Sequence, residues 1–472
     1  MAHRLVIDPV TRVEGHMKVE VQVEGGKVTD AWVTSNLFRG IEIILQNRDP
    51  RDAVYYTQRI CGFCPGSHAV ASAYALWSAN PVDVPKNGQI LRNMMLAADY
   101  LMDHLRHFYY LVYPDFVKLP PVAPFVPYGT ADYRLPAKET ARLTEWYLEG
   151  LDQQRRADTM VAVFGGKSPH LHGIFPGGAS EPPTADRVER YASHAAELLK
   201  FIDTRMLPAA ELFAEYYPDY FKLGRGLGRM ISFGLYQKSA RAEDRVFLPG
   251  IVGGGGQVRH LTLAELNDGI TESVDHSWYK PRGPEKPGAG HTEPVRPKDG
   301  AYSWTKAPRW RGQAFETGPL ARMWIKGEYR KGISQMDRTI ARVLETRKMA
   351  ELALEWVKEL DPKGPWIARW EVPKTAQGVG LVDAVRGGLG HWVTIDGYKI
   401  ARYQVVTPTT WNASPRDGKG QRGAIEEALL GTPVADPDHP AEIARVIHSF
   451  DPCNACAVQL ITPDERVRRF VV

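Results

Sequence analysis

Cysteine is scarce: the 472-residue chain contains four. Four cysteines cannot staple a chain of that length, so a disulfide framework does not organise it. No run of eighteen apolar residues occurs, which leaves no candidate membrane-spanning helix. The start, Met1-Ala2-His3-Arg4, leads straight into a strand-like segment and lacks the layout of a signal peptide. The chain is therefore expected to be soluble by itself. A membrane-associated or periplasmic location would come through a partner, the alternative being cytoplasmic. Charge of one sign is also lacking: a net +4 spread along the chain gives no footprint for nucleic acid. The glycine-punctuated loop from Gly165 to Gly173 does not have the spacing of a phosphate-binding loop and reads as structural packing. What remains, 43% hydrophobic and 24% charged residues, is the composition of a globular protein with a large core, long enough for two or three average domains.

The four cysteines form two C-x-x-C pairs, Cys61/Cys64 and Cys453/Cys456, near opposite ends of the chain. Together they supply a four-thiolate site if the fold brings the ends together, and thiolates select soft or borderline metals. On the pairs alone, structural zinc is the favoured reading. Against it stand the separation of the pairs by nearly the whole chain and flanking residues that zinc does not need, Arg59, His68 and Asp451.

Residues 1–40 read as a β region. His16 to Val23 alternates apolar and polar, Glu24-Gly25-Gly26 supplies a turn, and Val28 begins the next strand. Just before lie Arg12 and Glu14, either solvated at a strand end or aimed at the metal site. A short apolar helix is expected after Gly40, with Glu42 either solvated at its start or buried and paired. Asp49-Pro50-Arg51-Asp52 looks like a helix start feeding the first cysteine pair.

Apolar residues three and four apart predict long helices over 89–113, 137–163, 186–217 and 338–360. In the first of these, His104 and His107 read as core or interhelical hydrogen-bonding residues ahead of metal ligands, and Asp103 alone reads as a solvated face. Residues 218–319, with four consecutive glycines and a proline-rich stretch, read as a loop- and strand-rich insertion. The glycines between Asp383 and Trp392 imply close backbone approach or positive φ, and a strand is expected over 398–406. The fold class expected is α+β: one interlocked domain over 1–472 with a mainly helical core, its chain ends meeting at one metal site.

The segments Arg59-Ile60-Cys61-Gly62-Phe63-Cys64-Pro65-Gly66-Ser67-His68 and Asp451-Pro452-Cys453-Asn454-Ala455-Cys456 resemble the two signature motifs of the nickel–iron hydrogenase large subunit. The resemblance runs from about Val6 to the last residues. It implies a heterolytic, reversible oxidation of dihydrogen. Cys61 and Cys453 would be terminal nickel ligands, while Cys64 and Cys456 would bridge nickel to an iron carrying carbonyl and cyanide. It further implies that Glu14 relays protons, that Cys453 accepts one, and that Arg386 overhangs the open metal position. Asp103 and Asp451 would flank that arginine, Thr409 would lie in the cyanide pocket, and His68 would sit beside a bridging thiolate. A magnesium site would use Glu42, the Val405 carbonyl and the residue at 459.

Two positions depart from the family pattern. Gln459 stands where histidine or arginine is usual, though an amide oxygen suits a hard cation, and Val385 stands where proline is frequent. Residues 460–472 resemble a cleavable C-terminal extension. With every cysteine assigned, none is left for an iron–sulfur relay, so an iron–sulfur small subunit is expected as partner in a heterodimer. The alternatives are a hydrogen-sensing regulatory hydrogenase and a non-catalytic respiratory-complex subunit. The paired cysteines speak against the second, and the C-terminal extension leans toward an enzyme over the sensor.

Overall fold

The computed structural model describes residues 3–123, 125, 132–239 and 241–457, with the side chains of Cys456 and Ala457 left aside. Gln459 and the extension 460–472 therefore lie outside the described residues. The amino-terminal region is a three-stranded antiparallel sheet, ordered β1 (His3–Ile7), β2 (Met17–Glu24) and β3 (Lys27–Ser35). Its alternation has the expected consequence: Met17, Val19, Val21 and Val23 are buried, and the polar residues between them are not. The buried face does not pack on the central helices. Val19, Val21 and Val33 share a core with Ile425, Leu429, Val446 and Ile447, all from the last sixty residues or so. This packing brings the two ends of the chain together.

The larger core is helical. Helix α1 (Pro65–Ala79) follows the first cysteine pair, and α2 (Lys86–Arg106), α3 (Ala137–Gly165) and α4 (Ala185–Phe201) pack beside it. Later come α5 (Pro319–Lys326) and α6 (Gln335–Glu359). The helices expected over 89–113 and 186–217 both exist but change pitch. Each contains a π-helical turn, His107–Val112 and Ile202–Met206, followed by a helix with proline at its second position, Pro114 or Pro208. Proline lacks an amide hydrogen and clashes with the carbonyl four residues back, and widening the preceding turn relieves that conflict.

The final sheet is β4 (Thr375–Ala384), β5 (Gly387–Asp396) and β6 (Lys399–Val406), antiparallel in that order. Helix α1 lies directly against β4. A Cβ at Gly378 or Gly380 would come within 2.0 Å of the carbonyl oxygen of Ala75 or Ala71, so both positions require glycine opposite an alanine-rich helix face. Residues 218–319 carry short strands, among them Met230–Ser232 and Gly250–Val252. The mixed helix-and-sheet architecture agrees with the α+β expectation. Among the described residues no helix is long and apolar enough to cross a membrane.

One buried ion cluster ties the amino terminus to the helices. Asp115 is fully buried, accepts from Arg12 Nη2 at 2.6 Å, and lies 2.8 Å from His448 Nδ1. Burial alone would raise its pKa, but Arg12 and His448 outweigh it and bring the carboxyl from 3.8 down to about 2. A depressed folded-state value stabilises the protein above the unfolded value, and the contribution is lost as pH falls from about 4 through 2. Asp115→Asn is expected to cost about 3 kcal/mol near neutral pH, because it takes the carboxylate from the largely buried Arg12 guanidinium and from the buried His448 ring. Thermal unfolding of both forms checks this, and the gap between them should close on acidification through that window.

Candidate metal centre

The thiols of Cys61 and Cys453, 392 residues apart in sequence, lie 3.2 Å from each other, and both are buried. Cys64 joins them: the three Sγ atoms lie within 4.8 Å of one another, the one such cluster of metal-capable groups among the described residues. None is in a disulfide. Three converging, buried, soft donors fit a thiophilic transition metal and make a poor apolar core. Cys456 follows on the short helix Asn454–Ala457, and its side chain lies outside those described.

Local backbone contacts hold the two motifs in place. Glu14 and Cys453 form a parallel bridge, with Asn454 N–H donating to Glu14 O at 2.7 Å and Glu14 N–H to Pro452 O at 3.3 Å. Arg39 clamps both motifs, donating to Arg59 O at 2.9 Å, to Ala455 O at 2.6 Å and to Ile60 O. Asp99 is fully buried and accepts from the amides of Gly66 and Ser67, at the start of α1. The sequence reading missed Arg39 and Asp99. For Asp99 a signal was present, since it precedes Asp103 by four residues and so shares its helix face. The 165–173 loop packs as expected through buried Leu171, whose carbonyl accepts from Gln58 Nε2 at 2.9 Å. His170 on that loop also hydrogen-bonds the Cys61 backbone, a link the packing interpretation did not include.

Glu14 points at the cluster. Cys453 Sγ lies 2.9 Å from Glu14 Oε2, and Ala455 N–H donates to the same oxygen at 3.0 Å. Burial and the neighbouring Cys61 push this carboxyl up from 4.5 to about 7, against the Cys453 hydrogen bond and the Arg386 charge. Of the two readings of this residue, solvated strand end or metal-site group, the structure selects the second. Arg12 instead belongs to the Asp115 cluster.

Arg386 is buried, with a two-pronged contact to Asp103 at 2.7 and 2.9 Å and a further bond to Asp451 at 2.9 Å. Burial disfavours its charge, and the two carboxylates more than compensate, so it stays protonated. Asp103, read by itself as part of a solvated face, has no exposed surface. The reason is tertiary: α2 is covered on all sides, and the carboxylate is tolerated there because Arg386 neutralises it. Asp451 adopts a left-handed conformation, φ 55°, immediately before the second motif, and burial pushes its carboxyl up. Thr409 Oγ1 accepts from Cys453 N–H at 2.9 Å.

Burial brings the pKa of His68 down to about 4, so its ring is neutral. Its Nδ1 lies 3.2 Å from His391 Nε2, His391 Nδ1 lies 2.8 Å from the Tyr403 hydroxyl, and Tyr403 donates to Ser72 Oγ at 3.0 Å. Since Tyr403 donates to Ser72, His391 Nδ1 donates to Tyr403 and His68 Nδ1 donates to His391 Nε2, which leaves Nε2 of the neutral His68 ring as an acceptor. His104 and His107 belong to the core as expected: His104 pairs with Glu345 at 3.0 Å and His107 with the His448 carbonyl at 2.8 Å. Glu42 is buried and paired, accepting from Val405 N–H at 2.8 Å and from the Thr292 hydroxyl, with Lys306 Nζ at 3.7 Å.

A family model described as nickel-dependent hydrogenase matches residues 39–124 and 121–459, and a HoxL-like model matches residues 4–34. The chain belongs to the nickel-dependent hydrogenase family. This hydrogenase is 39% identical to the periplasmic [NiFeSe] hydrogenase large subunit of Desulfomicrobium baculatum, over 97% of its own length and 95% of the relative's. It is 34% identical to the uptake hydrogenase large subunit of Bradyrhizobium diazoefficiens, over 98% and 96%. The reduced Ni-Fe-Se hydrogenase of Desulfovibrio vulgaris Hildenborough superposes with a TM-score of 0.93 at 39% identity, covering 97% of this chain and 100% of that one. The hydrogenase described here carries cysteine at all four motif positions, so every donor in its motifs is sulfur.

Cys61→Ser or Cys453→Ser replaces a soft donor by a hard one in a closed cluster. Each variant is expected to lose its nickel nearly completely, which elemental analysis of the purified protein measures directly.

Proposed function

We propose that the chain is the catalytic large subunit of a nickel–iron hydrogenase, oxidising dihydrogen reversibly to protons and electrons. Its family membership makes it an oxidoreductase acting on dihydrogen. The observation that carries the assignment of roles is the buried thiol cluster with a carboxyl of near-neutral pKa 2.9 Å from one sulfur. Cys61, Cys64, Cys453 and Cys456 are the residues assigned to hold the metals, with Cys61 and Cys453 terminal on nickel. A nickel–iron centre with carbonyl and cyanide on iron would supply the heterolytic splitting of dihydrogen.

The chain's own groups handle the proton. Cys453 Sγ is placed to receive it and to pass it to Glu14 Oε2, and a carboxyl titrating near 7 both accepts and releases a proton at neutral pH. Arg386 does not act as a resting base, since its carboxylate partners hold it charged. Its role is to present a fixed positive charge, with Asp103 and Asp451 fixing its direction and Thr409 fixing the Cys453 amide. His68 is assigned a place beside a bridging thiolate. Glu42, Val405 and Gln459 are assigned to magnesium, a hard cation suited to oxygen ligands. Electrons leave through an iron–sulfur small subunit in a heterodimer, since the two motifs account for every cysteine in the chain.

Elemental analysis of the purified complex, with infrared spectra in the carbonyl and cyanide region, tests the centre. Nickel and iron with those bands are expected; zinc alone without them would sink the assignment. Glu14→Gln should retain the metals while dihydrogen–deuterium exchange slows on the order of a hundredfold. Exchange at the native rate would remove Glu14 from the route.

A further inference from the structure

Arg386 sits in a turn whose carbonyls are bonded by side chains from other elements. Ala384 pairs with Gly387 across β4 and β5, so Val385 and Arg386 form a two-residue hairpin loop. Such loops favour turns with positive φ at the first loop residue, and here neither loop residue has it. The sequence Ala-Val-Arg-Gly also lacks the Asn-Gly or Gly-first chemistry those turns use. The one positive φ falls on Gly387, at 123°, just after the loop, so groups outside the loop add to what its own sequence supplies.

Side chains of other elements hold the turn on both sides. Three consecutive carbonyls leading into Arg386 accept from side chains. The Tyr100 hydroxyl donates to Asp383 O at 2.9 Å, Arg322 Nη1 to Ala384 O at 2.9 Å, and Arg322 Nη2 to Val385 O at 2.7 Å. On the far side Thr317 Oγ1 accepts from Gly388 N–H at 2.7 Å, and a Cβ on Gly387 would come within 2.3 Å of that oxygen. Arg322 lies on α5 and is itself immobilised: Nε and Nη2 meet Glu345 of α6 at 2.6 and 2.7 Å, and Asp383 lies 3.3 Å away. All three side chains are fully buried.

We propose that Arg322, held by Glu345, is a positioning residue for Arg386, setting its guanidinium over the metal centre through the carbonyls of Ala384 and Val385. Only a guanidinium can do this. Its planar fork spans a carboxylate on one edge and two successive carbonyls on the other, whereas an ammonium is a point donor. The inference rests on the role proposed above for Arg386, so that residue is tested in parallel.

Four variants are purified as the complete complex: Arg322→Lys, the double variant Arg322→Met with Glu345→Met, Arg386→Lys, and Arg309→Lys as control. The double variant removes the Arg322–Glu345 pair as a unit, and Asp383 keeps the Ser232 hydroxyl at 2.6 Å and the Phe233 amide at 2.8 Å. Arg309 is a comparable buried arginine, 2.8 Å from Asp417, whose donors end on residues 308, 414, 415, 417 and 421 and never reach the turn. Nickel and iron content, kcat and KM for dihydrogen are measured, and the Arg322→Lys crystal structure is determined. The first three variants are expected to keep metal content and KM within about twofold of the native values while kcat falls on the order of ten- to a hundredfold. The control keeps its kcat, and the Arg386–Asp103 fork is displaced in the Arg322→Lys crystal.

A native kcat in Arg322→Lys or the double variant, alongside a depressed one in Arg386→Lys, overturns the positioning role and leaves Arg386 standing. A native kcat in Arg386→Lys overturns the reading of Arg386 and the positioning role with it. Loss of nickel in both Arg322 variants but not in the control makes the pair an assembly determinant and likewise overturns the proposal.

Discussion

Everything at this centre depends on holding sulfur atoms from opposite ends of the chain within 3.2 Å of each other in a buried space. Two thiol-bearing loops have no attraction strong enough to find and keep that arrangement without a metal. The protein supplies it through backbone. The Glu14–Cys453 bridge aligns the first strand region with the second motif, and the Arg39 fork draws carbonyls of both motifs to one guanidinium. Behind them, the amino-terminal sheet shares its apolar core with the helices that precede the second motif. The hydrophobic burial that stabilises the sheet is thus the same burial that closes the metal cluster.

The second constraint is charge in a dry interior. An isolated ion there is costly, so the buried arginines around the centre meet carboxylates. Arg386 meets Asp103 and Asp451, Arg322 meets Glu345 and Asp383, and Arg12 meets Asp115. Such pairs add little net stability but penalise every other arrangement, which gives the site rigid directions. Glu14 is bonded by no guanidinium and lies against the thiols. Its charge is left poorly compensated, so that its proton affinity rises into the working range.

Much was legible in one dimension because it depends on local rules. The alternation in 16–23, the helical spacing of 137–163 and 338–360, and the capping Asp49 all appear where pattern and propensity put them. The two cysteine pairs and their flanks were enough to identify the family, since few chemistries need those residues in that spacing. All four cysteines lie in those two motifs, so none is left over elsewhere in the chain.

The tertiary structure alone decided which polar residues matter. Asp103 looks solvated in its own helix and is completely buried, because whether a helix face meets water depends on elements hundreds of residues away. Arg39, Arg322 and Glu345 carry no local signature. Each works by donating to or accepting from groups distant in sequence, and no spacing rule encodes that pairing. The sequence determined the donors, their chemistry and the elements that carry them. Long-range packing decided their distances, their burial and hence their proton affinities, because desolvation and Coulomb energy depend on position in space and not on order along the chain.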